Sequence, residues 1–154
     1  MKVLADTSVW SLALRRQNPD QNRSTAELAE LIREGRVAML GAIRQELLSG
    51  VRGARQFQNL KDRLRPFPDF PLTSEVYENA ADCFNRCRAR GIQGSNTDFL
   101  ICGASLQHDF AIFTTDKDFE RFAEVLPLNL HQPTLFTPRP DGPHSQAEGS
   151  ETDV

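Results

Sequence analysis

Three short apolar runs, Lys2–Ala5, Val37–Leu40 and Phe110–Thr114, punctuate the chain, with long helix-forming stretches between them. That alternation constrains the fold more than any other feature. A run of four or five apolar residues with no polar alternation suits a strand covered on both faces. Parallel neighbours in such a sheet need long crossovers, which the intervening helices supply. Leu128–Leu130 reads as a weaker final strand. The expected fold is therefore α/β, a three-layer α/β/α sandwich around a central, mainly parallel sheet.

Helix signals fill the gaps. Residues 9–14 (VWSLAL) are helical in pattern behind Asp6, Thr7 and Ser8, all good N-cap residues. Ser24 with Glu27 three residues on reads as a capping box, and Gly35 as the stop of that helix. Further helices are expected directly after Leu40, carrying Arg44 to Leu48 and ending near Gly50, over 54–64, over 74–91 and from Asp98 through Leu106, with a short one in "TDKDFERFAE". The apolar positions Leu100, Ile101 and Ala104 should dock the Asp98 helix on the sheet. Residues 1–136 thus form one domain. From Thr137 onward Pro, Gly, Ser and acids replace apolar residues, and 137–154 is expected to be a disordered polar tail.

Composition narrows the setting. The chain has no membrane-length apolar run and no signal-peptide layout. Its three cysteines, an odd number, speak against a disulfide framework and for a reducing cytoplasm. Cys83 and Cys87 are spaced for one helix face, where packing is the simpler role. A net charge of −3 does not by itself advertise a nucleic-acid binder. The cations, however, are almost all arginine, and they cluster at Arg15/Arg16, at Arg52, Arg55, Arg63 and Arg65, and at Arg86/Arg88/Arg90. The guanidinium fork suits phosphate, while solvated helix faces would account for the same clusters equally well.

The chemistry lies in the acids. Ligand sites of open parallel sheets form outside the carboxyl ends of the strands. Asp6 and Asp116 follow strands there, Glu46 lies on the helix after the second strand, and Asp98 opens a helix that must dock on the sheet. Each has an ordinary explanation as cap, turn or surface residue, but together they converge on one edge. Like charges brought together must raise their pKa values or be neutralised by a cation. Oxygen-only donors favour Mg²⁺ or Mn²⁺ over zinc, and such ions activate water for in-line phosphodiester cleavage.

Four stretches, "VLADTSVW", "RQELLSGV", "NTDFLICGAS" and "FTTDKDFERF", resemble the acidic motifs of PIN-domain nucleases, most closely the VapC-type toxins of bacterial toxin–antitoxin modules. The resemblance spans about residues 2 to 131. It implies a metal-dependent endoribonuclease with Asp6, Glu46, Asp98 and Asp116 as catalytic acids, of which Asp6, Asp98 and Asp116 would hold Mg²⁺ or Mn²⁺. Ser8 would support the site. Asp118 also fits the last motif, so the metal-facing residue there is either Asp116 or Asp118. Arg15, Arg16, Arg86, Arg88 and Arg90 are candidates for RNA contact. A cognate antitoxin and a homodimer are the implied protein partners. The antitoxin is expected to insert a cation among the acids and to lay a helix near Trp10, Leu12 and Leu14, although Trp10 serves equally as a core residue.

Other readings stay open at this stage. A haloacid-dehalogenase-like phosphatase needs an aspartate two residues after Asp6, where Ser8 stands. A phosphoryl-accepting receiver-like domain could use Lys117 but lacks a good acceptor on a middle strand. A catalytically silent PIN scaffold would keep the fold and serve only a partner.

Overall fold

A computed structural model of the chain describes residues 1–15 and 22–134. Arg16 and the polar tail from Thr137 lie outside these described residues. Three strands, β1 (Val3–Ala5), β2 (Val37–Ala38) and β3 (Ala111–Phe113), form a parallel sheet in the order β2-β1-β3. The first strand made is the central one. Its three residues are wholly buried, which is why they carry no polar alternation.

Among the described residues seven helices accompany the sheet: α1 (Thr7–Leu14), α2 (Arg23–Arg33), α3 (Gly41–Leu48), α4 (Ala54–Leu64), α5 (Ser74–Ala89), α6 (Asn96–His108) and α7 (Asp118–Val125). The chain goes from β1 to one edge through α1 and α2, then back past β1 to the other edge through α3–α6. Around the sheet α1 packs on α2 and also meets α3, while α5 and α6 pack closely on each other. The expected α/β sandwich with a parallel sheet is the fold observed.

Two details differ from the sequence reading. Residues 128–130 do not extend into a strand; a single parallel bridge joins Leu130 to Ile112, closed by Ile112 N–H to the Asn129 carbonyl (2.8 Å) and His131 N–H to the Ile112 carbonyl (2.7 Å). The α2 cap also sits two residues earlier than expected. Asn22 Oδ1 accepts the amides of Ser24 (2.9 Å) and Thr25 (3.3 Å), so Ser24 lies inside the first turn. Glu27 is consequently free of capping work. It turns inward, 8% exposed, and accepts from the His131 ring (Oε1, 2.8 Å) and the Thr134 hydroxyl (Oε2, 2.9 Å).

Three arrangements fix the elements that later carry acids. Arg44 of α3 donates through Nε to Asp69 (2.9 Å), through Nη1 to the Leu64 carbonyl (3.0 Å), and through Nη2 to the Phe67 carbonyl. This ties the proline-rich loop after α4 against α3. Phe84, Phe99, Phe119 and Phe122 pack edge-on or tilted to one another and join α5, α6 and α7. Gly103 lets α6 approach α5 so closely that a Cβ there would stand 2.8 Å from the Ala80 nitrogen and 2.9 Å from the Val76 oxygen. Of the docking positions expected on α6, Ile101 and Ala104 are fully buried and Leu100 half-buried, while Phe99 joins the core instead.

The cysteines are free and buried. Burial pushes the Cys83 thiol up to about 11 and the Cys102 thiol higher still, as expected of packing residues. Among the described residues no helix is long and apolar enough to cross a membrane.

Candidate active site

The site begins where β1 and β3 end side by side. The Asp6 amide donates to the Phe113 carbonyl at 2.8 Å, the last rung of the sheet. Beyond it the chain turns into α1 on one strand and into the 114–117 turn on the other. Asp6 occupies the N-cap position of α1, yet its side chain does not cap the helix. Its Oδ2 instead accepts the hydroxyls of Thr114 (2.7 Å) and Ser8 (3.0 Å). A capping role alone therefore does not explain this buried carboxylate, which is 5% exposed.

Asp98 stands at the third position of α6. It makes a capping box with Ser95: Asp98 Oδ2 accepts the Ser95 amide (3.0 Å), and Ser95 Oγ accepts the Asp98 amide (3.1 Å). That box fixes the side chain and occupies one of its oxygens. Asp116 is held by two bonds. Its amide donates to Thr114 Oγ1 (2.9 Å), and its Oδ1 accepts the Asp118 amide (2.9 Å), starting α7.

Electrostatics shows which acids belong together. Burial pushes the Asp6 carboxyl above its ordinary range; the Thr114 and Ser8 hydroxyls pull it back, and the charge of Asp116 pushes it further up. Asp98 is likewise raised, first by burial; its bonds with Ser95 oppose this, and the charges of Asp6 and Asp116 add to it. Asp6, Asp98 and Asp116 thus act on one another. Asp118 is exposed and its amide donates to Asp116, whereas Asp116 is half-buried and bonded to Thr114.

Glu46 is attached differently. It is exposed on α3 and accepts the Thr7 hydroxyl at 2.6 Å through Oε2. It also lines a hollow of about 470 Å³ with Thr7, Ala42 and Thr97, the neighbour of Asp98. Glu46 is thus bonded to Thr7 on α1, apart from Asp6 and Asp116, which share the Thr114 hydroxyl. Among the described residues none of the four acids pairs with a cationic side chain, and no three carboxylates close around a single point. An open, oxygen-only rim fits Mg²⁺ or Mn²⁺, hard ions that take carboxylate ligands and keep several of their waters.

The remaining candidates separate clearly. Ser8 is in the site. Arg15, Arg86, Arg88 and Arg90 are exposed, and no hydrogen bond or ion pair joins them to the acids. Arg86 reaches Asp82 (4.0 Å) and the Val125 carbonyl (3.4 Å), and Arg88 lies over the Phe84 ring. Trp10 is 3% exposed and stacks edge-on against Phe67, so it is a core residue and offers no partner surface. Leu12 and Leu14 remain half-buried. Sequence reading passed over Thr7, Thr114 and Ser95 as site residues. Ser95 was the most findable, since Ser-x-x-Asp is itself a capping-box pattern; nothing local distinguishes Thr114 from any strand-end threonine.

Architecture and site together define a class: a parallel α/β protein with carboxylate chemistry outside the carboxyl ends of its strands. The family model for the PIN domain matches residues 3–125. The chain belongs to the PIN domain family. Solved structures of similar fold include FitAcB from Neisseria gonorrhoeae (TM-score 0.68, 24% identity, 85% of this chain and 97% of that one). VapBC2 from Rickettsia felis bound to a DNA fragment from its promoter is similar too (TM-score 0.69, 17% identity, 85% and 98%). A third is a toxin–antitoxin complex from Klebsiella pneumoniae (TM-score 0.54, 17% identity, 77% and 90%). No curated protein matches the sequence.

Proposed function

We propose that the chain is a Mg²⁺- or Mn²⁺-dependent endoribonuclease, the toxin of a toxin–antitoxin pair, acting on RNA in the cytoplasm. One observation carries the reading: Asp6, buried, and Asp116, from distant parts of the chain, share one Thr114 hydroxyl, and among the described residues no cationic side chain pairs with either of them or with Asp98. Such a cluster is stabilised by a hard cation, and Asp6, Asp98 and Asp116 are the residues assigned to hold it. When bound, the ion supplies a water of lowered pKa and neutralises charge on the phosphate oxygens. Glu46, exposed and steadied by Thr7, is assigned to take a proton from the attacking water. Ser8 supports Asp6.

An acidic rim repels phosphate, so RNA binding needs cations nearby; Arg15 and the Arg86/Arg88/Arg90 cluster are proposed for this, with Arg16 beside them in sequence. The PIN-like unit is taken as residues 1–136, working as a homodimer. The toxin–antitoxin descriptions of similar folds support a small antitoxin as the protein partner. An inserted Arg or Lys would neutralise the cleft by charge-assisted bonds.

The test is cleavage of single-stranded RNA by purified protein with Mg²⁺ or Mn²⁺, beside EDTA and an Asp98→Asn control, with the new RNA ends sequenced. Cutting that needs the metal and Asp98 supports the proposal. Cutting that persists in excess EDTA overturns it. RNA or protein binding with no cutting under any divalent ion points to a silent scaffold.

A further inference from the structure

We infer that Thr114 is a positioning residue for the acid cleft: with Ser8 it forms a hydroxyl latch that fixes which oxygen of Asp6 faces a bound cation. The inference rests on the reading of these acids as a cation site, and it concerns a residue outside the four motif acids.

A hydroxyl has one proton to give and lone pairs to receive. Thr114 Oγ1 gives its proton to Asp6 Oδ2 (2.7 Å) and receives the Asp116 amide (2.9 Å). Ser8 Oγ gives its proton to the same Asp6 Oδ2 (3.0 Å) and receives the Thr115 amide (3.2 Å). The two hydroxyl oxygens are themselves 3.5 Å apart. Both donors therefore have their protons committed, and both are oriented from behind by backbone amides of the turn after β3.

Two consequences follow. Both hydroxyls land on one carboxylate oxygen, so Oδ1 is the side of Asp6 they leave open. And one atom, Thr114 Oγ1, sets the rotamer of Asp6 and the backbone of Asp116 together, two of the three coupled acids. If only packing mattered at this strand end, valine would serve as well, being β-branched and of nearly the same shape. Valine would strand the Asp116 amide and release half of the Asp6 clamp, which makes Thr and Val unequal here.

The experiment compares the full chain with Thr114→Val, Thr114→Ser and Ser8→Ala. The readout is Mn²⁺ binding without RNA, followed by electron paramagnetic resonance and calorimetry, beside Tm and single-turnover RNA cleavage. Partners that orient metal ligands are typically worth about 10–100-fold in affinity. Thr114→Val should weaken Mn²⁺ about tenfold or more and lower kcat with KM for RNA unchanged, while Thr114→Ser restores binding to within about threefold. Ser8→Ala, which removes the other half of the clamp, should weaken Mn²⁺ in the same direction, and it decides the matter should the valine variant not fold. Wild-type affinity in folded Thr114→Val, or in Ser8→Ala if valine does not fold, overturns the latch and leaves the cation reading standing. A wild-type protein that binds no Mn²⁺ overturns both.

Discussion

Gly103→Ala is the most direct test of how the helices carry the site. A methyl at this position would meet the Ala80 nitrogen at 2.8 Å, the Val76 oxygen at 2.9 Å and the Ala80 Cα at 3.0 Å. All three are backbone atoms of α5, so no side chain can swing aside; α6 or α5 must move by several tenths of an ångström. Overpacking costs about 1–3 kcal/mol, and three backbone contacts at 3.0 Å or less put this one in the upper part of that range, about 2–3 kcal/mol. Replacing glycine by alanine inside a helix returns about 1 kcal/mol. The net expectation is a loss of about 1–2 kcal/mol, or about 2–8 °C in Tm for a chain of this size. Thermal unfolding monitored by circular dichroism measures it. Because Asp98 rides on the N-terminal turn of the same helix, the variant should also cleave RNA more slowly than its Tm loss explains at 25 °C. A Tm equal to or above wild type would falsify the close-contact reasoning, since it would mean that intrinsic helix preference outweighs the contact.

Asp6→Asn and Asp98→Asn should each abolish cleavage by orders of magnitude while leaving a folded protein. Burial holds both carboxyls above their ordinary range, so from the unfolded pKa up to the raised one the native state binds more protons and stability falls with rising pH. In metal-free buffer, denaturant titrations should show that fall in wild type and a flatter, higher curve for each Asn variant above that window. Arg44→Lys keeps the charge but cannot reach Asp69 and the two carbonyls together; a loss of about 2–3 kcal/mol is expected in urea unfolding, and one below 0.5 kcal/mol would mean the loop holds itself. Glu27→Ala leaves the His131 ring and the Thr134 hydroxyl without their acceptor and should cost about 2–3 kcal/mol by the same assay; an unchanged midpoint would mean water satisfies both.

The layered fold was readable because its cause is local and repetitive: β1 and β3 are short and apolar since both faces of each are covered. Helix limits were readable where an amphipathic pattern runs into a proline-rich loop, as with α4, or where a stop is present, as at Gly35. The latter adopts φ +68°, which glycine accommodates at no steric cost. The α2 start falls on Asn22 and not on Ser24, an equally good cap, and Glu27 is left to bond His131, a partner far along the chain that no local pattern reveals. The final strand shrank to one bridge because only Ile112 has backbone groups free on that side. Within the site, the acids were legible as residue types, but their grouping was not. Which hydroxyl each acid meets, Thr7 for Glu46 and Thr114 with Ser8 for Asp6, depends on side-chain direction, which periodicity does not carry.

The pairing of the first strand with the last gives the site a clock. Asp6 and Thr114, joined by a hydrogen bond in the folded chain, are 108 residues apart in sequence. At synthesis rates of roughly 5–20 residues per second, roughly 5–20 s pass between the emergence of one and the arrival of the other. Until then β1 has an empty edge, Asp6 has only Ser8 for company, and the cleft does not exist. A ribosome halted anywhere short of Asp116 releases a fragment with no assembled site. The topology thus withholds the acid cleft until β3 has been made, leaving those seconds for whatever must meet the newborn chain first.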